Sequence, residues 1–542
     1  MCRSAHLCTS RGAHNALMRR LIPAAVLGLA LSACGSTVQT SSTATAGGDG
    51  LGATAAPGNG LGDSGTSGSP LNQGSAATGG TTGGSSTGGA SAGGPAAPGT
   101  VGGAGGGTTG TSTSLPGPAQ AGLGVTAKTI TIGYGYSPDA ASVNAAIGAS
   151  SFSQPDEQAN MKGLIDEINA HGGIAGRKLV GVGHAYHVAS SDSGSAQDQA
   201  ACQDWTSDHK VIAVLSSSLS DTLVACLKQK GVLLVTAGQI VDSDQTFLRQ
   251  YPNKLLLATM SQDRIFRDQA QAFQRQKWFG GWNVTTGAPG TSTKVGVITY
   301  DNASFTRSLH NVILPALKAA GHPAATADVF QVHKVEQESD TAATTAQIKN
   351  AVLKLQTDGV THVVLGDASA FIMEFFGADA QSQRYYPRLG VTSGAAPYAA
   401  YQAGLVTAQQ LNGMSGNGWL PSLDIPTNDA AKYTNSETRR CLDILKRRTG
   451  QTYTSTNAAT IALGDCDSVF IFQKAMSLAT ALSPNGLLAG FDKIGSSYVS
   501  PTVGPTFVSA RQHDTAVRAW DLNWVPSCTC VRYSDQRTVG PA

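Results

Sequence analysis

Residues 168–179 read Ile-Asn-Ala-His-Gly-Gly-Ile-Ala-Gly-Arg-Lys-Leu, and this stretch decides the fold. It follows a predicted helix over 157–170, in which apolar residues recur at helical spacing. His171-Gly-Gly173 ends that helix, because glycine just past the last turn is the usual helix terminator. A short apolar strand is predicted over 179–182. The stretch therefore predicts a tight helix-to-strand turn, one joint of a β–α–β unit.

Strands and helices alternate along the rest of the folded part. The first group has predicted strands at 129–133, 179–182, 211–215 and 232–236, and helices at 157–170, 196–207 and 223–230. The pattern restarts with helices at 264–276, 307–320 and 345–356 and strands at 294–299, 329–332 and 362–365. Helices at 435–448 and 457–482 and a strand at 516–524 follow. This order predicts an α/β fold with two lobes, each a doubly wound parallel sheet covered by helices on both faces.

Residues 124–133, Gly-Val-Thr-Ala-Lys-Thr-Ile-Thr-Ile-Gly, together with 168–179 resemble the opening of type I periplasmic binding proteins. The chain is most similar to their leucine/isoleucine/valine-binding family, the substrate-binding proteins of branched-chain amino acid ABC transporters. The resemblance covers 123–542 and weakens beyond residue 400. It implies two lobes joined by a three-segment hinge, with ligand held in the cleft between them.

The same resemblance implies how the chain is divided between the lobes. The three crossing segments are expected near 255–260, 391–395 and 498–510. The first lobe is then built from 123–257 and 393–500, and the second lobe from 258–392 and the return segment 501–542.

The N-terminal region has the form of an export signal. Arg19 and Arg20 precede an apolar run, 21–31, that is too short to span a bilayer and ends at Ser32-Ala-Cys34. This ending resembles the lipobox of bacterial lipoproteins, in which the cysteine is acylated and becomes the first residue. We therefore expect a signal peptide at 1–33, lipidation of Cys34, and a protein anchored in the cell envelope on the extracytoplasmic side. An ordinary secretory signal is the alternative, and translation starts at Met1 or Met18.

A long linker follows the signal. Residues 34–122 are rich in glycine, serine and threonine, contain Asp49 and Asp63 as their only charged residues, and have no aromatic side chain. Without large apolar side chains, such a stretch cannot bury enough surface to offset the entropy of ordering it. We expect a disordered tether between the membrane and the lobes.

Charge and motifs exclude several classes of function. The chain has 37 Lys+Arg and 35 Asp+Glu, a balance that lacks the basic surplus of a nucleic-acid-binding protein. It has no Gly-x-Ser-x-Gly motif, no His-Glu-x-x-His motif and no phosphate loop, and Gly133-Tyr-Gly135 lacks the third glycine of a dinucleotide loop. We therefore predict a monomeric binding protein, not an enzyme, with no cofactor and no metal.

Six cysteines follow Cys34, and an even count in an exported protein predicts disulfides. Six cysteines allow 15 connectivities. Cys202 and Cys226 lie on consecutive predicted helices, as do Cys441 and Cys466, so each couple is expected to pair locally. Cys528 and Cys530 remain, and a bridge between them is expected because no second cysteine or histidine pair nearby completes a metal site.

Two loops of the first lobe are candidates for ligand contact. In open α/β sheets, ligands bind beyond the carboxyl ends of the strands, where backbone N–H groups favour anionic groups. Ser216, Ser217 and Ser218 follow the third predicted strand, and Thr236, Ala237, Gly238 and Gln239 follow the fourth. In similar proteins the corresponding loops hold a ligand carboxylate. The alternative is that a serine here only caps the next helix.

The second lobe contributes Phe305, Asp367, Ser369, Thr392 and Ser393 as ligand-binding candidates. Phe305 covers the ligand or packs as a core residue, and Asp367 meets a ligand cation or caps a helix. Amino-acid binders of the family tend to place an acidic residue near 390–398, which pairs with the ligand ammonium group. This chain has Thr392 and Ser393 there, so an α-amino acid ligand requires Asp367 or another acid, whereas amides, urea and aliphatic or aromatic acids do not.

The resemblance implies a lipid-anchored solute-binding protein of an ABC importer. Its ligand would be a small polar solute (an amino acid, an amide or a small carboxylate), captured by hinge closure and delivered to a membrane permease. Two alternatives keep the fold: a ligand-sensing lipoprotein coupled to a signalling partner, and an envelope interaction module that binds no ligand.

Overall fold

The computed structural model describes residues 122–146, 154–215, 221–237, 242–335 and 340–540. The predicted signal peptide, Cys34 and all but the last residue of the predicted linker lie outside this set. No helix in the described part of the chain is long and apolar enough to cross a membrane.

Sixteen strands occur in the described residues. They are β1 Thr129–Tyr136, β2 Lys178–Ala185, β3 Ala213–Leu215, β4 Leu233–Thr236, β5 Lys254–Leu256, β6 Trp282–Asn283, β7 Ala288–Pro289, β8 Val295–Tyr300, β9 Val329–Val332, β10 His362–Gly366, β11 Arg388–Thr392, β12 Ser415–Gly418, β13 Val499–Ser500, β14 Gly504–Pro505, β15 Arg518–Val525 and β16 Cys530–Thr538.

Seventeen α-helices occur in the same residues. They are α1 Ala140–Ala146, α2 Glu157–Ala170, α3 Gly194–Gln203, α4 Asp221–Gln229, α5 Gln245–Gln250, α6 Gln262–Arg275, α7 Ala303–Ser308, α8 Leu314–Ala319, α9 Asp340–Thr357, α10 Phe371–Ser382, α11 Pro397–Gln402, α12 Ala408–Leu411, α13 Pro421–Asp424, α14 Thr427–Ala430, α15 Ser436–Thr449, α16 Thr456–Leu478 and α17 Pro484–Asp492. Single π turns at Asp204–Asp208 and Leu309–Ile313 extend α3 and join α7 to α8.

The first lobe contains a five-stranded parallel sheet in the order β2-β1-β3-β4-β5. Both faces are covered by helices. Along β3, Ala213 and Leu215 belong to an apolar cluster formed with α2, α15, α16 and α17, whereas Val214 belongs to a second cluster formed with α3 and α4. Successive strand residues point to opposite faces, so a doubly covered strand must be apolar at every position, as β3 is.

The second lobe contains a seven-stranded sheet in the order β16-β15-β12-β11-β10-β8-β9. Strands β8 to β12 pair in parallel, and β15 and β16 add an antiparallel edge. One continuous apolar cluster fills this lobe, with Val297, Val363 and Val391 in the sheet and Phe273 and Ile348 in the helices over it. The predicted α/β class with two doubly wound lobes is confirmed.

The chain crosses between the lobes three times. It leaves the first sheet after β5 and enters α6, which packs on the second lobe. It returns between β12 and α15, and crosses again between α17 and β15. The first and third crossings touch each other, since the Leu256 N–H donates to the His513 carbonyl at 2.7 Å and the Thr515 N–H donates to the Leu256 carbonyl at 3.0 Å.

The second crossing differs from the prediction. It was expected at 391–395, but β11 continues into β12, and both strands lie in the second sheet. The chain therefore stays in the second lobe to at least Gly418. The physical reason is composition: β12 reads Ser-Gly-Asn-Gly and is buried at every position without one large apolar side chain, so its sequence shows no strand pattern.

The decisive stretch forms the turn that its glycines predict. The Gly173 N–H donates to the Ile168 carbonyl at 2.9 Å, and Gly173 has a φ of 75°. A Cβ at this position would lie 1.9 Å from the Arg177 carbonyl oxygen, so only glycine fits. Asn169 then ties the helix to the next strand, because its side-chain amide exchanges hydrogen bonds of 2.9 and 2.8 Å with the backbone of Leu179.

The three predicted disulfides are confirmed. Cys202–Cys226 joins α3 to α4, Cys441–Cys466 joins α15 to α16, and Cys528–Cys530 lies at the turn between β15 and β16. The first two close loops of 24 and 25 residues, and the third a loop of 2. Because stabilisation by a disulfide grows with the loop it closes, the two longer bridges carry most of the effect.

Candidate ligand-binding cleft

Segments that follow the carboxyl ends of strands in the two sheets meet at the lobe boundary, where an ion pair joins them. Asp244 follows β4 and caps α5 in the first lobe, and Arg307 lies in α7, which follows β8 in the second lobe. The Arg307 Nε and Nη2 atoms donate to the two carboxylate oxygens of Asp244 at 2.6 and 2.9 Å. The Asp244 side chain is 6% exposed and that of Arg307 33%. This is a two-contact, half-buried bridge between the lobes.

A second charged contact lies beside the first. Asp242 is buried and accepts two hydrogen bonds of 2.8 Å from Lys254, the first residue of β5. Burial alone would raise the pKa of Asp242, but Lys254 and Lys334 together hold it below its ordinary value. Lys334 follows β9 in the second lobe, so its field reaches Asp242 across the lobe boundary. The loop after β4 therefore carries two acidic side chains, Asp242 and Asp244, that interact with basic side chains of the second lobe.

The first-lobe candidates are only partly described. Ser216, Ser217, Ser218, Gly238 and Gln239 lie outside the described residues. Thr236 is the last residue of β4, is buried, and donates its hydroxyl to the Leu255 carbonyl at 3.1 Å. Ala237 follows it and is half-buried. The Thr236 hydroxyl is thus used within the sheet.

Phe305 lies in the core of the second lobe. It is 1% exposed and packs edge-on against Tyr300, with ring centroids 5.2 Å apart, and against Phe266 at 6.2 Å. Asn302 caps α7 by accepting the Phe305 N–H at 3.1 Å, which turns the aromatic ring inward. Of the two roles predicted for Phe305, its position corresponds to the core residue.

Asp367 organises the loop before α10. Its Oδ1 accepts hydrogen bonds from the Tyr300 hydroxyl at 3.0 Å and from the N–H groups of Ala368 and Ser369 at 2.7 and 3.1 Å. Its Oδ2 accepts the Met373 N–H at 2.9 Å, a bond that Ala370 at the cap position has no side chain to make. Burial raises the pKa of Asp367 to about 6. Both oxygens are satisfied inside the lobe, and Ser369 is half-buried beside them.

Thr392 is the last residue of β11, and Ser393 is the first residue of the loop that follows it. The Thr392 side chain accepts the Gly394 N–H at 3.1 Å and caps a short 3₁₀ turn, Ser393–Ala395. Ser393 accepts the Trp419 N–H at 2.8 Å and donates its hydroxyl to Asp424 at 2.6 Å. Both residues are buried. Ser393 is thus hydrogen-bonded to an acidic residue, Asp424, although residues 390–398 themselves contain no acid.

Asp424 is the residue that sequence reasoning missed. It is fully buried at the end of α13, and its Oδ2 accepts hydrogen bonds from Ser393, from Tyr533 and from the Leu420 N–H. Its Oδ1 has no hydrogen-bond partner among the described residues. Burial raises the pKa of Asp424 to about 6. The only signal for this acid is the parallel pairing of β11 with β12, which places the two strand ends side by side.

Other carboxyl groups of the two lobes also have raised pKa values. Glu374, in the first turn of α10, has its pKa raised to about 7 by burial and by Asp367. In the first lobe, Glu157 accepts the Ser137 N–H just beyond β1 at 3.2 Å, and burial and Asp156 raise its pKa. Burial and Glu157 raise the pKa of Asp465 well above its ordinary value. In the part of the chain that the structure describes, no three His, Cys, Asp or Glu side chains are grouped to hold a metal ion.

Solved structures share this two-lobe architecture. A possible leucine/isoleucine/valine-binding protein from Rhodopirellula baltica aligns over 76% of this chain and 97% of its own, at 12% identity and a TM-score of 0.51. A solute-binding protein of an ABC transporter from Rhodopseudomonas palustris, in complex with p-hydroxybenzoic acid, aligns over 76% and 98% at 14% identity and a TM-score of 0.52. A fatty acid ABC transporter substrate-binding protein from Thermomonospora curvata aligns over 78% and 95% at 14% identity and a TM-score of 0.52.

These neighbours define the class of fold. The chain has the fold of the type I periplasmic binding proteins, and its structural neighbours include ABC substrate-binding proteins for amino acids and for aromatic acids. No protein-family model matches the sequence, and a search of curated proteins finds no match. At identities below 20%, the likeness is one of architecture.

Proposed function

We propose that this protein is the extracytoplasmic solute-binding component of an ABC importer. The observation that carries the proposal is the pair of facing sheet ends, held across the lobe boundary by Asp244 and Arg307. A ligand between two such ends contacts both lobes, so the closed arrangement binds it more tightly than the open one. Closure then presents the loaded protein to a membrane permease, and an acyl chain on Cys34 keeps it at the membrane.

The crossing segments supply the hinge. Arg264, at the start of α6, pairs with Asp514 of the third crossing at 2.6 Å, and both side chains are fully buried. Ala258, in the first crossing, has a φ of 54° and is fully buried. A non-glycine residue in this region is strained unless its surroundings hold it there. The first and third crossings are thus fixed to each other. Rotation of one lobe relative to the other then takes place in a few backbone dihedral angles next to them.

Acidic groups in the second lobe support a proposal for the ligand class. Asp367 is satisfied by four internal hydrogen bonds, so it does not supply the acid that an ammonium group needs. Asp424 retains the unpartnered Oδ1 and lies against Ser393. A buried carboxylate oxygen without a partner is costly and is stabilised by a donor from a ligand. We infer that the ligand is a small polar solute that carries a hydrogen-bond donor. An amino acid or an amide fits this requirement better than a simple carboxylate does.

A thermal-shift panel of amino acids, amides, urea and small carboxylates tests the proposal. A ligand at 100 times its dissociation constant adds about 2.7 kcal/mol of stability, which raises the unfolding midpoint. The hit is repeated on Asp424→Asn and on Asp443→Asn, an exposed carboxylate on α15 that serves as the control. A shift lost only in Asp424→Asn supports the assignment, and an equal shift in both variants removes Asp424 from the site.

One observation favours a second function, an envelope interaction module without ligand. Phe305, Asp367 and Thr392 all direct their side chains into contacts within the second lobe. If the panel gives no shift for the folded protein, this function replaces the first.

A further inference from the structure

A row of exposed lysines lies along the amino ends of the first four strands of the first sheet. In the order in which the strands pair, they are Lys178 at the start of β2, Lys128 just before β1, Lys210 before β3, and Lys230 before β4. We call these four residues the basic edge. Neighbouring strands are about 4.8 Å apart, so the row extends over roughly 15 Å.

Backbone contacts hold the members of the basic edge together. The Lys178 N–H donates to the Lys128 carbonyl at 2.9 Å, where β2 and β1 begin side by side. The segment before β1 also touches the turn before β3, because a Cβ on Gly124 would lie 2.8 Å from the Lys210 carbonyl oxygen. Arg177, half-buried beside Lys178, donates its Nε to the Thr126 carbonyl at 2.8 Å and adds a fifth cation.

Among the described residues, no acidic side chain pairs with the lysines of the basic edge. None of its four lysines forms an ion pair with a described residue, and Asp208 is the one acid within three residues of any of them along the chain. The cations of α15 differ, since Arg447 and Arg448 both pair with Glu167. For a chain with a formal net charge of +2, the edge is a local concentration of positive charge.

The N-terminal segment joins the first lobe at this same edge. Gly122 is the first described residue, and its carbonyl accepts the Val125 N–H at 3.0 Å. Val125 is three residues before Lys128, which precedes β1. The covalent path from the predicted lipid attachment at Cys34 therefore enters the described part of the first lobe at Gly122, six residues before Lys128.

We propose that the basic edge docks on anionic lipid headgroups. Each lysine or arginine near a negatively charged membrane surface adds to the attraction, which falls off within a Debye length of about 10 Å at 0.1 M salt. The tether raises the local concentration of the lobe at the membrane, so weak attraction suffices. Because β1 to β5 are all parallel, this docking turns their carboxyl ends away from the membrane, so it holds the protein between encounters with a permease and is released when the cleft is presented to one. The inference rests on the proposed envelope location and not on ligand binding.

Vesicle co-sedimentation of the chain without its predicted signal peptide, residues 34–542, tests the proposal. Cys34→Ala in this chain removes the predicted acyl anchor as well, so binding reports on the remaining protein surface. We expect binding to phosphatidylcholine vesicles that contain phosphatidylglycerol, loss of binding at 1 M salt, and no binding to pure phosphatidylcholine. Replacing Lys128, Lys178 and Lys210 by Gln lowers the apparent partition coefficient by about fivefold for each lysine removed. The control replaces Lys277, Lys318 and Lys349, three exposed lysines of the second lobe, by Gln.

The outcomes separate the possibilities. Loss of binding in the basic-edge variant and its retention in the control support docking through this surface. Equal loss in both variants shows attraction by overall charge and overturns the assignment, and so does failure of the parent chain to bind anionic vesicles. The ligand panel is run on the same protein samples and has a separate readout, so failure of the docking surface and failure of solute binding are told apart. An unchanged unfolding midpoint confirms that the variants are folded.

Discussion

Asp244 and Arg307 are held together by two hydrogen bonds although they belong to different lobes, one at the cap of α5 and the other in α7. Asp244 also accepts the Phe247 N–H at 2.8 Å, and Phe247 is buried in the first lobe. The Asp244 carboxylate is therefore held in place by a hydrogen bond within its own lobe, independently of Arg307. Asp242, two residues before Asp244, lies close enough to Lys334 of the second lobe for that lysine to lower its pKa.

Removing this pair shifts the lobes toward an open arrangement. Arg307→Ala leaves the cap of α5 intact and removes a half-buried contact worth about 1–3 kcal/mol. Small-angle scattering is expected to give a larger radius of gyration for the variant at low salt, and the parent is expected to approach the variant as salt rises. Arg267→Ala is the control, because Arg267 pairs with Asp263 within α6. Equal radii of gyration for Arg307→Ala and its parent refute the prediction that this ion pair holds the lobes together.

Asp424 makes stability depend on pH in an unusual direction. Its pKa rises from an ordinary value of 3.8 to about 6 in the folded protein, so the folded state binds more protons than the unfolded state between those values. The free energy of unfolding therefore falls as pH rises from 4 to 6, by about 2 to 3 kcal/mol from this group. His362 acts in the opposite sense over a similar range, because burial and Arg388 lower its pKa to about 4.

Urea unfolding of the parent and of Asp424→Asn at pH 4 and pH 7 isolates the contribution of Asp424. The difference in unfolding free energy between the two proteins is expected to change with pH, with the variant gaining on the parent at pH 7. Asp443→Asn is the control and keeps a constant difference. A constant difference for Asp424→Asn means that its carboxyl group is ionised in the folded protein as it is in the unfolded chain.

The three disulfides are expected to differ in their effect on stability. Replacing Cys441 and Cys466 together by serine removes a bridge that closes 25 residues, and the loop-entropy relation gives a loss of about 3 kcal/mol. The same change at Cys528 and Cys530 opens a loop of 2 residues and gives about 1 kcal/mol. Urea unfolding under oxidising conditions measures both. Equal losses contradict the dependence on loop length.

Gly173 is expected to be the most sensitive glycine of the turn that opens the fold. Gly173→Ala places a Cβ 1.9 Å from a backbone oxygen and is expected to cost more than 3 kcal/mol or to prevent folding. Gly172 has a φ of 91° but no atom within 4 Å of its Cβ position, so Gly172→Ala carries only the conformational cost of about 1 kcal/mol. Thermal unfolding of the two variants compares them directly, and similar midpoints rule out the steric argument.

Elements with a strong repeating pattern were predictable from the sequence. The helix over 157–170 and the strand over 329–332 have the predicted bounds, and in the helix the apolar residues Met161, Leu164, Ile165 and Ile168 recur at helical spacing. The strands β11, β12 and β16 were missed. β12 has no large side chains, and β16 reads Cys-Val-Arg-Tyr-Ser-Asp-Gln-Arg-Thr, an edge strand with mostly exposed or half-buried residues.

The candidate site was less predictable than the fold. Sequence position identified the loops at the strand ends, but not the direction of each side chain within them. Phe305 points inward because Asn302 fixes the first turn of α7. The Asp367 carboxylate accepts a hydrogen bond from the first turn of α10, the helix that follows it. Asp424 contacts Ser393, which is 31 residues earlier in the chain, beside the paired strands β11 and β12, and no local pattern encodes such a distant contact.

The two-segment construction of each lobe has a consequence for how the chain folds as it is made. The cluster that packs β1 and β3 against α15, α16 and α17 is incomplete until the chain has been synthesised to about Asp492, and the second sheet lacks its β15–β16 edge until Thr538. Such distant pairings raise the contact order and slow folding. A nascent chain leaving the ribosome or a membrane pore exposes apolar surface for most of its length, a state that favours aggregation unless a chaperone covers it.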